Sequence, residues 1–104
     1  MTPRQFAKLA LSFPGVVEAE HMGHPDFRIG GKIIASLGSP DADWGMVKLT
    51  PDQQAALIET NGGACQPCRG IWGLRGYTNI RLAEATQSLV RSALELAFEN
   101  ATNK

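Results

Sequence analysis

A chain of 104 residues, 43% of them apolar, has room for one domain and one modest core, so residues 1–104 are expected to fold as a single unit without disulfide staples. Ten basic and ten acidic residues cancel to a net charge of zero, with a sequence pI of about 6.7, which excludes a generic polyanion binder; any nucleic-acid surface must come from local segregation of charge. Lys8 interrupts the apolar part of MTPRQFAKLALSFPG, so no signal-peptide core is present, and no run approaches the roughly 18 apolar residues of a membrane span; the expected place is the cytoplasm, where the two cysteines stay reduced.

Thr2-Pro3-Arg4-Gln5 offers an N-cap hydroxyl, Pro at the first helical position and Gln at N3. Phe6, Leu9, Ala10 and Phe13 then recur at helical spacing until Pro14-Gly15, which predicts a helix with one face toward a core. Strand signals follow in VVEAEHM, DFRI and KIIASL, with Gly30-Gly31 as a two-residue hairpin turn, and in WGMVKL after the loop GSPDAD. Thr50-Pro51-Asp52-Gln53 repeats the helix-start chemistry and opens a second helix carrying Ala55, Leu57 and Ile58, ended by Asn61-Gly62-Gly63. The shared opening is capping chemistry rather than an internal repeat. YTNIRL adds a further strand. From about Glu84 to Asn100 an amphipathic helix sets Leu89, Val90, Ala93, Leu94, Leu96 and Ala97 against a polar side. The order α-β-β-β-β-α-β-β-α predicts an α+β fold, an antiparallel sheet of about five strands with helices packed on one face.

Such a sheet leaves its other face open to solvent or a partner. If Ile29, Val47, Ile80 and Leu82 point to the core, the period of two puts Arg28, Lys48 and Arg81 on the open face, with Lys32 at the hairpin tip. The bland alternative is a solvated face with scattered charge. From Thr60 to Ala83 the chain holds Arg69, Arg75 and Arg81 and no acid, a local charge of +3. Within it GGACQPCRGIWGLRG concentrates both cysteines, Trp72 and a run of glycines.

Several chemistries fit that stretch on residue types alone. His21, His24, Cys65 and Cys68 could fill a tetrahedral zinc shell, but histidines three apart at a strand end project to opposite faces unless Gly23 turns the chain, and the C-x-x-C has no ribbon partner. A thioredoxin-like thiol needs a helix N-terminus, and Arg-Gly-Ile-Trp-Gly promises no helical run, although Arg69 favours some thiolate. Gly70, Gly73 and Gly76 feed a strand rather than a helix, so they read as a bent, mobile loop rather than a phosphate cradle. Glu18, Glu20, Asp26, Asp41 and Asp43 form no acid-base set, and Ser36 and Ser39 have no identifiable base. No catalytic, metal or cofactor site is therefore expected. Arg69, Trp72 and Arg75 remain, a cation-aromatic-cation set in which Trp stacks on bases while Arg takes phosphates; alternatively Trp72 plugs the core.

The chain resembles the MmcQ/YjbR family of small bacterial proteins. The resemblance runs from about Phe13 to the C-terminal helix. It is carried by FPGVVEAEHMGHPDFRIGGKIIASL, with its Phe-Pro-Gly, Gly-His-Pro-x-Phe and Gly-Lys, by VKLTPDQQAAL, and by GIWGLRGYTNIRL. It implies a CyaY-like fold and DNA binding through a double-wing arrangement. Mapped here, the wings are the Gly30-Gly31 hairpin with Arg28 and Lys32, and the loop from Arg69 to Arg75. Cys65 and Cys68 lie outside the family pattern. The expectation is a non-enzymatic DNA-binding protein, weak and salt-sensitive, that uses Arg28, Lys32, Lys48, Arg69, Trp72, Arg75 and Arg81. The alternative is a small-molecule or protein-binding module, which an apolar cleft beside Trp44, Trp72 and His24 would favour; an enzyme comes third.

Overall fold

A computed structural model of the chain describes residues 1–103. Helix α1 (Pro3–Leu11) begins at the predicted capping box: Thr2 accepts from the Gln5 backbone N–H at 3.1 Å while the Gln5 side chain accepts from the Thr2 N–H at 2.9 Å. Four strands follow, β1 (Val17–His21), β2 (His24–Ile29), β3 (Lys32–Leu37) and β4 (Trp44–Lys48). Helix α2 (Pro51–Asn61) opens with the same reciprocal bonds between Thr50 and Gln53. Strand β5 (Cys65–Pro67), the short helix α3 (Gly70–Leu74), strand β6 (Tyr77–Arg81) and helix α4 (Gln87–Thr102) complete the order. Helix α4 starts later than its hydrophobic pattern suggests, because Thr86 takes the cap by accepting from Leu89 N–H and Leu82–Glu84 form a 3-10 turn.

The strands form one six-stranded antiparallel sheet in the order β1-β2-β3-β4-β6-β5. Helices α1 and α4 cover one face, burying Phe6, Phe27, Ile34, Val47, Ile80 and Leu94 almost completely. Phe6 and Phe27 meet tilted, with ring centroids 6.2 Å apart, so each adds directional packing to its burial. The predicted inward set holds: Val47, Ile80 and Leu82 are buried and Ile29 packs half-buried against them. Gly30 and Gly31, both at positive φ, make the predicted hairpin turn. Among the described residues no helix is long and apolar enough to cross a membrane.

One segment differs from expectation. Residues 70–74, read from sequence as a glycine-rich loop, form a helical turn closed by Arg75 N–H donating to the carbonyls of Ile71 and Trp72. Propensity argues against a helix with two glycines in five residues. Packing decides instead: Gly73 lies so close to the Cys68 carbonyl that a Cβ would come within 2.0 Å of its oxygen. Only a glycine lets α3 seat against the end of β5, and tertiary contact overrides local preference.

Candidate functional site

Strand register assembles the open face residue by residue. Ala19 lies opposite Asp26, Asp26 opposite Ser36, Ser36 opposite Met46, Met46 opposite Asn79, and Asn79 opposite Gln66. These six form one row across all six strands, and the period of two puts the whole row on the face the long helices leave uncovered. The next row on the same face pairs Trp44 with Arg81, and the row on the other side pairs Lys48 with Tyr77.

The middle of the row, Asp26, Ser36, Met46 and Asn79, floors a cleft of about 560 Å³, inside the range of roughly 300–1,000 Å³ that ligand sites occupy. One wall is α3 with Arg69 and Trp72. Trp72 is 53% exposed and stands edge-on to Tyr77, ring centroids 5.2 Å apart. It does not plug the core. The opposite wall is the β1–β2 turn, where Met22 and Gly23 both take positive φ, so the chain reverses and His21 faces His24 in register. Both histidines therefore reach the open face and line the cleft. A depression of the same volume lies between α1 and α4, lined by Gln5, Lys8, Gln87 and Arg91 among others; it has no aromatic wall and none of the predicted residues.

Two groups on the floor are almost fully buried. Asp26, 2% exposed, accepts from Arg28 Nε at 2.7 Å and Nη2 at 2.9 Å. The guanidinium fork, helped by His21, holds the Asp26 carboxyl below its usual value of 3.8 against the opposing effect of burial. Asn79, 7% exposed, accepts the Cys68 thiol on Oδ1 at 3.1 Å. Its amide Nδ2 bonds no described residue and opens into the cleft.

The seven predicted contact residues part company here. Arg28 sits on the open face but is engaged by Asp26, the single salt bridge among the described residues. Lys32, expected at the hairpin tip, lies beside the turn opposite Ile29 in register, but its side chain turns to the helix side and donates to the Ala101 carbonyl of α4 at 3.4 Å. The other five gather at the β4-β6-α3 side. Lys48 lies 5.5 Å from the Tyr77 ring, Arg75 lies 5.8 Å from the Trp72 ring, and Arg81 lies 4.6 Å from the Trp44 ring. Arg69 caps the N-terminus of α3 without a side-chain hydrogen bond and borders the cleft. Trp44, buried by Arg81 and its neighbours, does not line the cleft.

The cysteines divide between the two sides of the sheet. Cys65 is buried in the core and Cys68 bonds Asn79 on the open side; neither forms a disulfide. Burial pushes both thiols up to about 11, so the thiolate expected from Arg69 is absent at neutral pH. No three His, Cys, Asp or Glu side chains among the described residues converge as a metal shell. Met46, Tyr77 and Asn79 were not singled out from the sequence, and Asp26 and Ser36 were weighed there only for catalysis. Asp26-x-Arg28 on one strand, two residues apart and of opposite charge, is the signal that identifies the pair.

A family model described as YjbR matches residues 11–100. Among solved structures the chain is similar to the crystal structure of the Deinococcus radiodurans protein DR2400, described as a DUF419 domain, at 14% identity and a TM-score of 0.82, covering 99% of this chain and 80% of that one. At that identity the likeness shows the fold alone. No curated protein matches the chain.

Proposed function

The chain belongs to the YjbR family, and from that premise we propose that it is a non-enzymatic nucleic-acid-binding module whose contact surface is the open sheet face around α3. The observation that carries this reading is the half-exposed Trp72, set among Lys48, Arg69, Arg75 and Arg81, none of which has an acidic partner among the described residues. Aromatic side chains stack on bases without regard to sequence, and neighbouring cations take the phosphates. Lys48 and Arg81 stand at opposite ends of the β4-β6 pair, roughly 13 Å apart along the strands, so a bound strand spans several phosphates. Arg28 and Lys32 drop out of the contact set.

Four cations on a neutral protein support weak binding dominated by counterion release. Fluorescence anisotropy of labelled mixed-sequence DNA should give a dissociation constant in the micromolar range at about 50 mM salt, with a log-log salt slope of about −3 for four phosphate contacts. No binding at that salt, or a slope near zero, sinks the reading. The cleft between Trp72 and His24 favours a second reading, a module for a free small molecule; such binding would be insensitive to salt.

A further inference from the structure

The geometry points to the cleft as a pocket for one unstacked nucleobase, with that nucleotide's phosphate held at the rim by Arg69. The proposal rests on the preceding reading for its rim of cations, and adds a specific occupant for the floor.

The floor decides what enters. Asp26 and Arg28 neutralise each other, so among the described residues no unpaired Lys or Arg lies on the floor of the cleft to draw a phosphate inward. Arg69, without an acidic partner among the described residues, lines the wall beside α3. The deep end is instead a line of three neutral seats, the Ser36 hydroxyl, the Met46 thioether and the Asn79 amide, taken from three neighbouring strands. At roughly 4.8 Å per strand, Ser36 and Asn79 are about 10 Å apart with Met46 midway. A flat ring system lying on the polarisable sulfur meets a hydrogen-bonding group at each edge. Asn79 Nδ2 is the accessible donor at that edge: the residue is 7% exposed, its oxygen is occupied by Cys68, and its nitrogen, which has no protein partner among the described residues, is open to solvent from the cleft. An accessible amide N–H seated there can donate to an acceptor on a ligand in place of water. Base edges supply such acceptors, and Asn is suited to reading them. Trp72 and Tyr77 form the aromatic wall beside the ring. A volume of about 560 Å³ has room for a nucleotide.

A base inside a duplex is paired and stacked and cannot reach this floor without extrusion, which costs a few kcal/mol. The pocket therefore selects single strands. Two sources offer the same chemistry, a base within a strand and a free nucleoside monophosphate, and the experiment has an arm for each.

Anisotropy at about 50 mM salt should be run with a ten-nucleotide single strand, the same strand made abasic throughout, and a duplex of equal phosphate number, and calorimetry with deoxyadenosine and thymidine monophosphates and inorganic phosphate. We expect the single strand to bind at least tenfold more tightly than the duplex, the abasic strand to fall to the duplex level, and Asn79→Ala and the surface variant Trp72→Ala each to narrow that gap. Lys8→Ala, on the helix side, should change nothing. Binding of a monophosphate but not of inorganic phosphate or any strand would keep the base pocket and overturn the polymer reading. Equal affinity for single strand, abasic strand and duplex would overturn the base pocket and leave nucleic-acid binding standing. No binding by any probe would overturn both.

Discussion

The β2-β3 hairpin and the β5-α3-β6 segment begin from similar material, glycines at a turn flanked by basic residues, and end with opposite fates. In the hairpin, Arg28 is locked to Asp26 by two hydrogen bonds and Lys32 reaches back to the Ala101 carbonyl of α4. In the second segment Arg69 and Arg75 flank the half-exposed Trp72, and Arg81 lies over Trp44. The difference comes from what lies two residues away or across the sheet. An acid at position 26 consumes the hairpin's charge, whereas the stretch from Thr60 to Ala83 contains no acid at all. Basic residues on a turn stay available to an anionic partner only when the fold gives them no acidic or hydrogen-bonded partner of their own.

The comparison breaks most severely if α3 is unseated. Gly73→Ala would push a Cβ to within 2.0 Å of the Cys68 carbonyl, a main-chain clash that only movement of the helix relieves. We expect a loss of about 2–3 kcal/mol in urea unfolding together with loss of nucleic-acid binding by at least tenfold; retained affinity would show that α3 is not the contact surface. Trp72→Ala comes next. Removing one stacked base costs about 1–3 kcal/mol, roughly a tenfold weakening by anisotropy, and the thermal midpoint should hardly move because the ring is 53% exposed. Trp72→Phe should recover part of the affinity.

Asp26→Asn tests the comparison from the other side, because it frees Arg28. We expect the salt slope to steepen by about one contact, roughly 0.7–0.9, with a severalfold gain at low salt. The same variant has a pH signature. The folded-state pKa of Asp26 is depressed, so its ionised form contributes stability that is present above the unfolded value of 3.8 and is lost as pH falls through the folded value. Acid unfolding of the wild type should therefore show a limb below about pH 4 that flattens in Asp26→Asn; an unchanged limb would mean that the pair contributes nothing. The smallest effect separates the two lysines. Lys48→Ala should weaken binding two- to threefold, and Lys32→Ala should leave it within experimental error.

Much of the fold is legible in the chain. The Thr-Pro-x-Gln boxes, the Gly30-Gly31 turn and the alternation of Val47 and Ile80 each report local chemistry that the packed structure keeps. The open face is legible as well, because a period of two assigns Arg28, Lys48 and Arg81 together. What periodicity does not carry is pairing between strands. The row Asp26-Ser36-Met46-Asn79 exists only through registers set by β2, β3, β4 and β6, and its last step, Met46 with Asn79, joins strands separated by a whole helix and strand β5 in the chain. The bulge between Phe27 and Arg28 shifts one of them. Helix α3 is hidden for a related reason: its formation depends on the contact between Gly73 and Cys68 rather than on helix formers. Lys32 sits at the hairpin as expected, but it faces the helices with its partner Ile29, and the identity of its acceptor, at the end of a helix beginning more than fifty residues later, is invisible to a local reading.

The most direct test is residue-resolved. A 1H-15N correlation spectrum recorded during titration with a ten-nucleotide single strand should show perturbations gathered on residues 44–48 and 66–81 and at Ser36, including the Trp72 indole and the Asn79 side-chain amide, with residues 29–32 of the hairpin turn and the outer surfaces of α1 and α4 unmoved. Shifts centred on the hairpin, or on the helix-covered side, would contradict the account.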